Sequence, residues 1–173
     1  MSQKKASQVC YEALQRAKEF LGVKEQPPNS NRGPYDYQLK GGIDDWCRRA
    51  NGLVGYPWCS AFVCAMFSDV GRKITEPRRA SVGFLEQWAR ENGYLVDRPF
   101  RGDLVCYRFD SDNWPDHIGI VERVLSLPRG GGPYLIQAIE GNTSYGDDAN
   151  GGKVMRRVRL ASRCKFIRIP DRP

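Results

Sequence analysis

Cys59 stands where a cysteine can become reactive. It follows the tripeptide YPW and opens the run CSAFVCAMFSDVG, which predicts a helix that is buried nearly all round and ends at Gly71. Free N–H groups and the dipole at a helix N-terminus favour an anion, so they lower the pKa of a thiol and produce a nucleophilic thiolate. The same N–H groups can bind the oxyanion that forms when a thiolate attacks an amide carbonyl. An inert buried cysteine is the commoner case, and Cys64 in the same run is predicted to be one.

His117 is the only histidine of the chain and lies at the start of a predicted strand in NWPDHIGIVERV. It is therefore the one side chain that titrates near neutrality without help from neighbours. Glu140 ends the predicted strand YLIQAIE, and Asn142 follows two positions later. Residues i and i+2 of a strand point to one face, so both can reach a shared partner and fix the tautomer of an imidazole. Taken alone, His117 also fits a surface or core histidine without a catalytic role. Glu140 and Asn142 also fit a polar strand end that leads into a turn.

Helical patterns come first along the chain and strand patterns follow. Apolar spacing predicts a helix over 6–21, and Ser81 is predicted to cap a second helix, VGFLEQWAREN, that ends at Gly93. Between them, the Pro/Gly/Asn-rich stretch 26–57 is long enough to indicate a functional segment that wraps a cleft. The strand-like segments are DLVCYRF, IGIVERVL, YLIQAIE, KVMRRVRL and CKFIRI. The order predicts one α+β domain over 1–173, with N-terminal helices packed on a C-terminal antiparallel sheet.

The net charge of +7 arises in the last part of the chain, where eight basic residues from Lys153 onward face one acidic residue, Asp171. A basic surface favours a polyanionic partner such as an anionic wall polymer, although a solvated strand face is an equal alternative. The chain has no RNP-type aromatics, finger spacing or long basic helix, so we expect no nucleic-acid binding. It has no apolar run of membrane-spanning length and no signal-peptide h-region, so a wall-directed protein would need another delivery route.

The six cysteines form no CxxC pair, and the chain has a single histidine. Zinc sites need several closely spaced cysteine or histidine ligands, so we expect no structural zinc. The cysteines are too scattered for a small disulfide scaffold. We therefore predict mostly free thiols, with Cys10 and Cys106 in the core.

Four motifs, in the order YPWCSAFV, GDLVCYRF, DHIGIVERV and IEGNTS, resemble the CHAP family of cysteine, histidine-dependent amidohydrolases and peptidases. The closing GGKVMRRVRL and CKFIRIP resemble the last strands of that family, and GVKEQPPNSN resembles the lead-in of some bacterial and phage members. The resemblance covers about residues 20–170. It implies a papain-like α+β fold with the nucleophile at the start of a buried helix.

The resemblance also implies a role for each site residue. Cys59 matches the nucleophile, and His117 matches the general base and later acid. Glu140 matches the residue that orients the imidazole, and Asn142 matches an auxiliary polar group in the same site. Trp58 is expected to line the cleft and contact substrate.

The function implied is hydrolysis of an amide bond in peptidoglycan, by an N-acetylmuramoyl-L-alanine amidase or by an endopeptidase. The setting expected is a phage lysin or tail-associated enzyme, made in the cytoplasm and acting on the wall after release, or carried in a virion; an injected antibacterial effector is a further route. Two alternatives remain open: a virion or wall-binding module that keeps the fold without catalysis, and a cytosolic amidase acting on a small γ-glutamyl or polyamine conjugate.

No metal or cofactor is expected, with calcium as a minor alternative. Some phage members of the family carry an acidic calcium loop ahead of the nucleophile, and here that region contains only Asp44 and Asp45. The segment DSDNWPD, with Asp110, Asp112 and Asp116, is a second candidate. Neither segment matches a full twelve-residue calcium loop.

Overall fold

Helices precede the sheet along the chain, as the sequence pattern predicts. The computed structural model describes residues 7–126, 130 and 132–172. Its helices are α1 Gln8–Glu19, α2 Ile43–Arg49, α3 Cys59–Asp69 and α4 Val82–Glu91. None of the helices in the described part of the chain has the length and apolar character needed to cross a membrane.

The strands form one antiparallel sheet of six members. They are β1 Leu95–Val96, β2 Leu104–Tyr107, β3 His117–Ser126, β4 Leu135–Thr143, β5 Lys153–Leu160 and β6 Lys165–Ile167. Their order across the sheet is β1-β6-β2-β3-β4-β5, and every neighbouring pair is antiparallel. The α+β class and its segregated layers are confirmed. The two-residue β1 was not predicted, because a segment that short carries no alternating pattern.

The two ends of the described chain meet at the start of α1. Ser7 precedes the helix, and its hydroxyl accepts a hydrogen bond from the Cys10 N–H at 3.3 Å. The Asp171 carboxylate accepts from the Ser7 hydroxyl and from the Val9 N–H, both at 2.9 Å. These bonds use N–H groups that a helix start leaves open, so they stabilise α1 and fix the C-terminal segment against it.

Helix α3 crosses the sheet between α1 and α2 and contacts β3 and β4. Its first nine residues are all buried, which confirms the predicted core helix. The close approach depends on Gly141 of β4, because a Cβ there would lie 2.8 Å from the Trp58 ring and 2.9 Å from Phe62. The sheet and the first turn of α3 are thereby brought into direct contact.

The predicted capping bond at α4 is not present. Ser81 has the extended backbone of an N-cap residue, but its side chain makes no capping hydrogen bond. The helix starts where the sequence predicts because its apolar face, including Val82 and Leu85, packs into the core. Tertiary packing thus stabilises the start of α4, where the sequence predicted a capping hydrogen bond from Ser81.

Candidate active site

The sulfur of Cys59 lies at the first residue of α3, with the residue 5% exposed. The residue before it caps the helix without a side-chain hydrogen bond, and the first intrahelical bond runs from Phe62 N–H to the Trp58 carbonyl at 2.9 Å. Among the described residues, the N–H groups of Cys59, Ser60 and Ala61 have no acceptor. An uncapped helix start offers these donors to an incoming oxygen.

Trp58 does not line the cleft as expected, because it is 0% exposed. Its ring packs against Trp46 and Phe62, and its Nε1 donates a 3.0 Å hydrogen bond to the buried carboxylate of Glu25. Glu25 belongs to the segment GVKEQPPNSN, so the hydrogen bond to Trp58 fixes this segment against the start of α3. Trp58 thus packs in the core beneath Cys59.

His117 is the first residue of β3 and is completely buried. The strand pairing places it opposite Tyr107 of β2. The rings of Tyr107 and Phe109 pack beside the imidazole, each with its centroid 6.0 Å from the imidazole centroid. The aromatic contacts exclude water and restrict rotation of the imidazole.

Glu140 binds one nitrogen of the imidazole, with Nε2 and Oε2 separated by 2.9 Å. Nδ1 is the nitrogen that remains, and it has no hydrogen-bond partner among the described residues. Burial by itself would lower the pKa of His117, but interactions with Cys59 and Glu140 outweigh it and raise the pKa to about 9. The arrangement therefore favours a protonated imidazole at neutral pH.

Gly119 makes room for the side chain of Glu140. The two residues lie opposite each other on β3 and β4, and a Cβ on Gly119 would come within 2.7 Å of the Glu140 Cγ. The glycine of the DHIGIV motif thus has a steric role, since it lets the carboxylate lie across the sheet and reach His117.

Arg159 of β5 belongs to the site, and sequence reasoning missed it. Its Nε donates to Glu140 Oε1 and its Nη2 to Oε2, both at 2.9 Å. Its Nη1 lies 2.9 Å from Asp148, and its guanidinium lies over the rings of Tyr107 and Phe109. Burial by itself would raise the pKa of Glu140, but His117 and Arg159 outweigh it and hold that pKa below its usual value. The sequence places Arg159 on the predicted strand KVMRRVRL, but it does not indicate how that strand pairs with β4.

Asn142 does not share a partner with Glu140, contrary to the strand-based expectation. Its φ is 59°, and the pairing of β4 with β5 shifts register between Glu140 and Thr143, so the simple alternation of faces is lost. The Asn142 amide instead donates to Asn150 Oδ1 at 3.0 Å, and its oxygen accepts from Gly152 N–H at 3.3 Å. Asn142 therefore organises the turn between β4 and β5.

A family model for the CHAP domain matches residues 51–142. The chain belongs to the CHAP domain family. This family comprises cysteine, histidine-dependent amidohydrolases and peptidases, and the domain implies peptidoglycan as substrate. No curated protein and no solved structure matches the chain. The matched range contains Cys59, His117 and Glu140, whereas Arg159 lies outside it.

The other five cysteines of the CHAP domain protein differ from Cys59 in their surroundings. Burial raises the pKa of Cys47 to about 11 and the pKa of Cys10, Cys64 and Cys164 to about 12. Burial also raises the pKa of Cys106. All six cysteines are free thiols, as predicted.

Most arginines of the basic C-terminal segment of the CHAP domain protein have partners within the protein. Its arginines bind carboxylates or carbonyls of the protein: Arg156 binds Glu122, Arg157 and Arg159 bind Asp148, Arg163 binds carbonyls of 110–112, and Arg168 binds Asp103. Five of the eight basic residues are nevertheless exposed: Lys153, Arg156, Arg163, Lys165 and Arg172. A solvated strand face and an anionic wall polymer therefore both stay predictions.

The two acidic segments are used for local structure. Asp110 and Asp112 accept backbone N–H groups two residues ahead, at 2.9 and 2.8 Å, and Asp116 accepts the Phe109 N–H. Asp44 accepts the Gly33 N–H at 2.9 Å. No group of three or more potential metal ligands exists within the residues that the structure describes.

Proposed function

We propose that this protein hydrolyses an amide bond in the peptide part of peptidoglycan, with Cys59 as nucleophile and His117 as proton carrier. The observation that carries the proposal is the 2.9 Å contact between His117 Nε2 and Glu140. It commits one nitrogen to the carboxylate and leaves Nδ1 for the thiol. A buried cysteine–histidine–carboxylate set at an uncapped helix start supports acyl transfer.

The first half of the proposed reaction forms an acyl-enzyme. The Cys59 thiolate attacks the substrate carbonyl carbon, and the N–H groups of the first turn of α3 bind the oxyanion. The protonated His117 gives its Nδ1 proton to the departing amine as the carbon–nitrogen bond breaks. A thioester on Cys59 and a free amine result.

The second half regenerates the enzyme. Neutral His117 takes a proton from water, which attacks the thioester carbonyl and releases a carboxylic acid and the thiolate. Glu140 stabilises the imidazolium in both halves and fixes its ring, and Arg159 fixes Glu140. Removal of one oxyanion donor typically costs about 10²–10³ in rate, so the open N–H groups of α3 carry a large share of the catalysis.

Digestion of purified cell walls followed by mass spectrometry tests the proposal. We expect soluble fragments with the wild-type protein and none with Cys59→Ala. Free lactyl groups on the sugar would identify an N-acetylmuramoyl-L-alanine amidase, and new peptide termini would identify an endopeptidase. Equal digestion by Cys59→Ala would refute the mechanism, and intact walls with a folded wild-type protein would favour the wall-binding module.

We further propose a phage lysin or tail-associated enzyme as the setting, supported by the likeness of GVKEQPPNSN to the lead-in of some phage and bacterial members. The test is expression inside a bacterium whose inner membrane is then permeabilised. Lysis that starts only after permeabilisation supports a released lytic enzyme, and continued growth contradicts it.

A further inference from the structure

A groove of about 440 Å³ lies beside the start of α3. Pro57 and Ala61, on either side of Cys59 in sequence, form part of its wall. Leu53, Tyr56 and Phe84 complete an apolar lining, and Leu53 and Tyr56 are 68% and 60% exposed. Large exposed apolar side chains in a concave surface indicate a ligand site.

Of the described residues that line this groove, Arg78 alone carries a charge. Cys47, which also lines it, is a neutral thiol because burial raises its pKa to about 11. The groove is therefore apolar with one cationic group. A ligand that fits it has an apolar part and a negative charge.

Arg78 is held in place from two sides. Its guanidinium carbon lies 3.7 Å from the centroid of the Phe84 ring, and its Nε donates to Glu76 Oε1 at 3.1 Å. The same carboxylate oxygen accepts the Arg78 N–H at 2.9 Å. Neither Nη atom of Arg78 has a partner among the described residues, so the pair of donors suited to a carboxylate remains open.

The loop that carries Arg78 is anchored to the nucleophile helix. Ser60, next to Cys59, donates its hydroxyl proton to the Arg79 carbonyl at 2.6 Å. The side chain of Arg79 is 6% exposed and donates to the carbonyl oxygens of Arg49 and Glu76. The position of Arg78 relative to the first turn of α3 is thus fixed before any substrate binds.

We propose that this groove binds the wall peptide next to the scissile bond and that Arg78 binds a free carboxylate of that peptide. The inference rests on the proposed function and makes it more specific, since it names an acidic peptide as the preferred substrate. Leu53, Tyr56 and Phe84 contact the aliphatic portion, and the two Nη atoms of Arg78 bind the carboxylate oxygens. A carboxamide at the same position offers one acceptor and no charge, so it binds less tightly.

Matched muropeptides provide the test, each pair differing only in whether one stem carboxylate is free or amidated. For one of these pairs, we expect the wild-type protein to cleave the peptide with the free carboxylate at a KM about fivefold lower than the KM for the amidated peptide. The two kcat values should be similar. Arg78→Gln should remove this preference, and Arg78→Lys should keep part of it because the charge remains without the planar fork. Arg90→Ala is the control, since Arg90 is a similarly exposed arginine that lies outside the groove and pairs with Glu86.

Calorimetric binding of the same peptides to Cys59→Ala separates the groove from the chemistry. Tighter binding of an acidic member, lost in the Cys59→Ala, Arg78→Gln double variant, supports the carboxylate site even without turnover. Equal KM and equal affinity for every acid and amide pair overturns it while leaving the hydrolase intact. Absence of cleavage with preserved acid-selective binding would instead count against the hydrolase alone.

Discussion

Two regions of α3 carry a cysteine, and the two thiols have nearly the same exposure, 5% for Cys59 and 4% for Cys64. Cys64, in the middle of the helix, donates to the Arg79 carbonyl at 3.5 Å, and burial raises its pKa to about 12. Cys59, in the first turn, interacts with the imidazole of His117. Burial is therefore not what distinguishes them.

The difference lies in what surrounds each sulfur. At the helix start, unpaired N–H groups and a protonated imidazole can stabilise negative charge. In the middle of the helix, burial outweighs the favourable effects of Arg79 and Ser60 on the Cys64 thiol. The same residue type on one helix thus gives the proposed nucleophile at one position and a core side chain at the other. Charge stabilisation decides reactivity.

Serine substitution should give the largest contrast between the two positions. We expect Cys59→Ser to lower kcat by about 10⁴-fold or more, since the reaction loses its thiolate. Cys64→Ser should keep kcat close to that of the wild type, because its hydroxyl can donate to the same Arg79 carbonyl. Kinetics on purified walls, with thermal melting as a check of folding, measure both. Comparable losses in the two variants would contradict the comparison.

Alkylation should separate Cys59 from the other five thiols. At neutral pH we expect iodoacetamide to modify Cys59 about 10²-fold or more faster than any other cysteine, because burial raises the pKa of the others. Peptide mapping by mass spectrometry gives the rates. His117→Ala should slow the modification of Cys59 and leave the rest unchanged. Uniformly slow labelling of all six cysteines would contradict a stabilised thiolate.

The imidazole of His117 should also determine the pH above which activity falls. Because the folded-state pKa of His117 is raised from 6.5 to about 9, the proton is held below that value and lost as the pH rises through it. We expect kcat/KM to fall above about pH 9, since the leaving amine then lacks a proton donor. This proton contributes fully to folding stability below about pH 6.5, and the contribution is lost as the pH rises through about 9. A pH–rate profile that falls already near pH 6.5 would contradict the raised pKa.

Arg159→Met should have a smaller effect, which acts through Glu140. Loss of the guanidinium removes three hydrogen bonds and a positive charge from the buried Glu140 carboxylate, so the pKa of Glu140 rises and its interaction with His117 weakens. We expect kcat to fall about tenfold and the pH above which activity falls to become lower. Arg156→Met is the matched control, because Arg156 lies on the same strand but binds Glu122. An unchanged pH profile would assign Arg159 a purely structural role.

Gly119→Ala should give the smallest change in activity. The added Cβ meets Glu140 Cγ, and we expect a loss of about 1–3 kcal/mol in the free energy of unfolding together with a loss of kcat smaller than that of Arg159→Met. Gly93→Ala is the control for backbone strain without a clash: Gly93 has a positive φ of 70°, and an added Cβ there meets no atom within 4 Å. Denaturant unfolding and kinetics on both variants show whether activity, and not stability alone, depends on Gly119.

Local sequence determined the place of Cys59 at a helix start, the place of His117 at a strand start, the order of the elements and the α+β class. These features depend on neighbours along the chain: the apolar run after Cys59, the single histidine at a strand start, and turn residues between strands. The tertiary structure decided how distant segments meet. The pairing of β5 with β4 places Arg159 opposite Ile136, and its long side chain reaches along the sheet to Glu140. The positive φ of Asn142 turns its side chain away, and the packing of α3 on Gly141 buries Trp58. Pairing register and packing distance are set by contacts between segments far apart in sequence, and no local pattern encodes them.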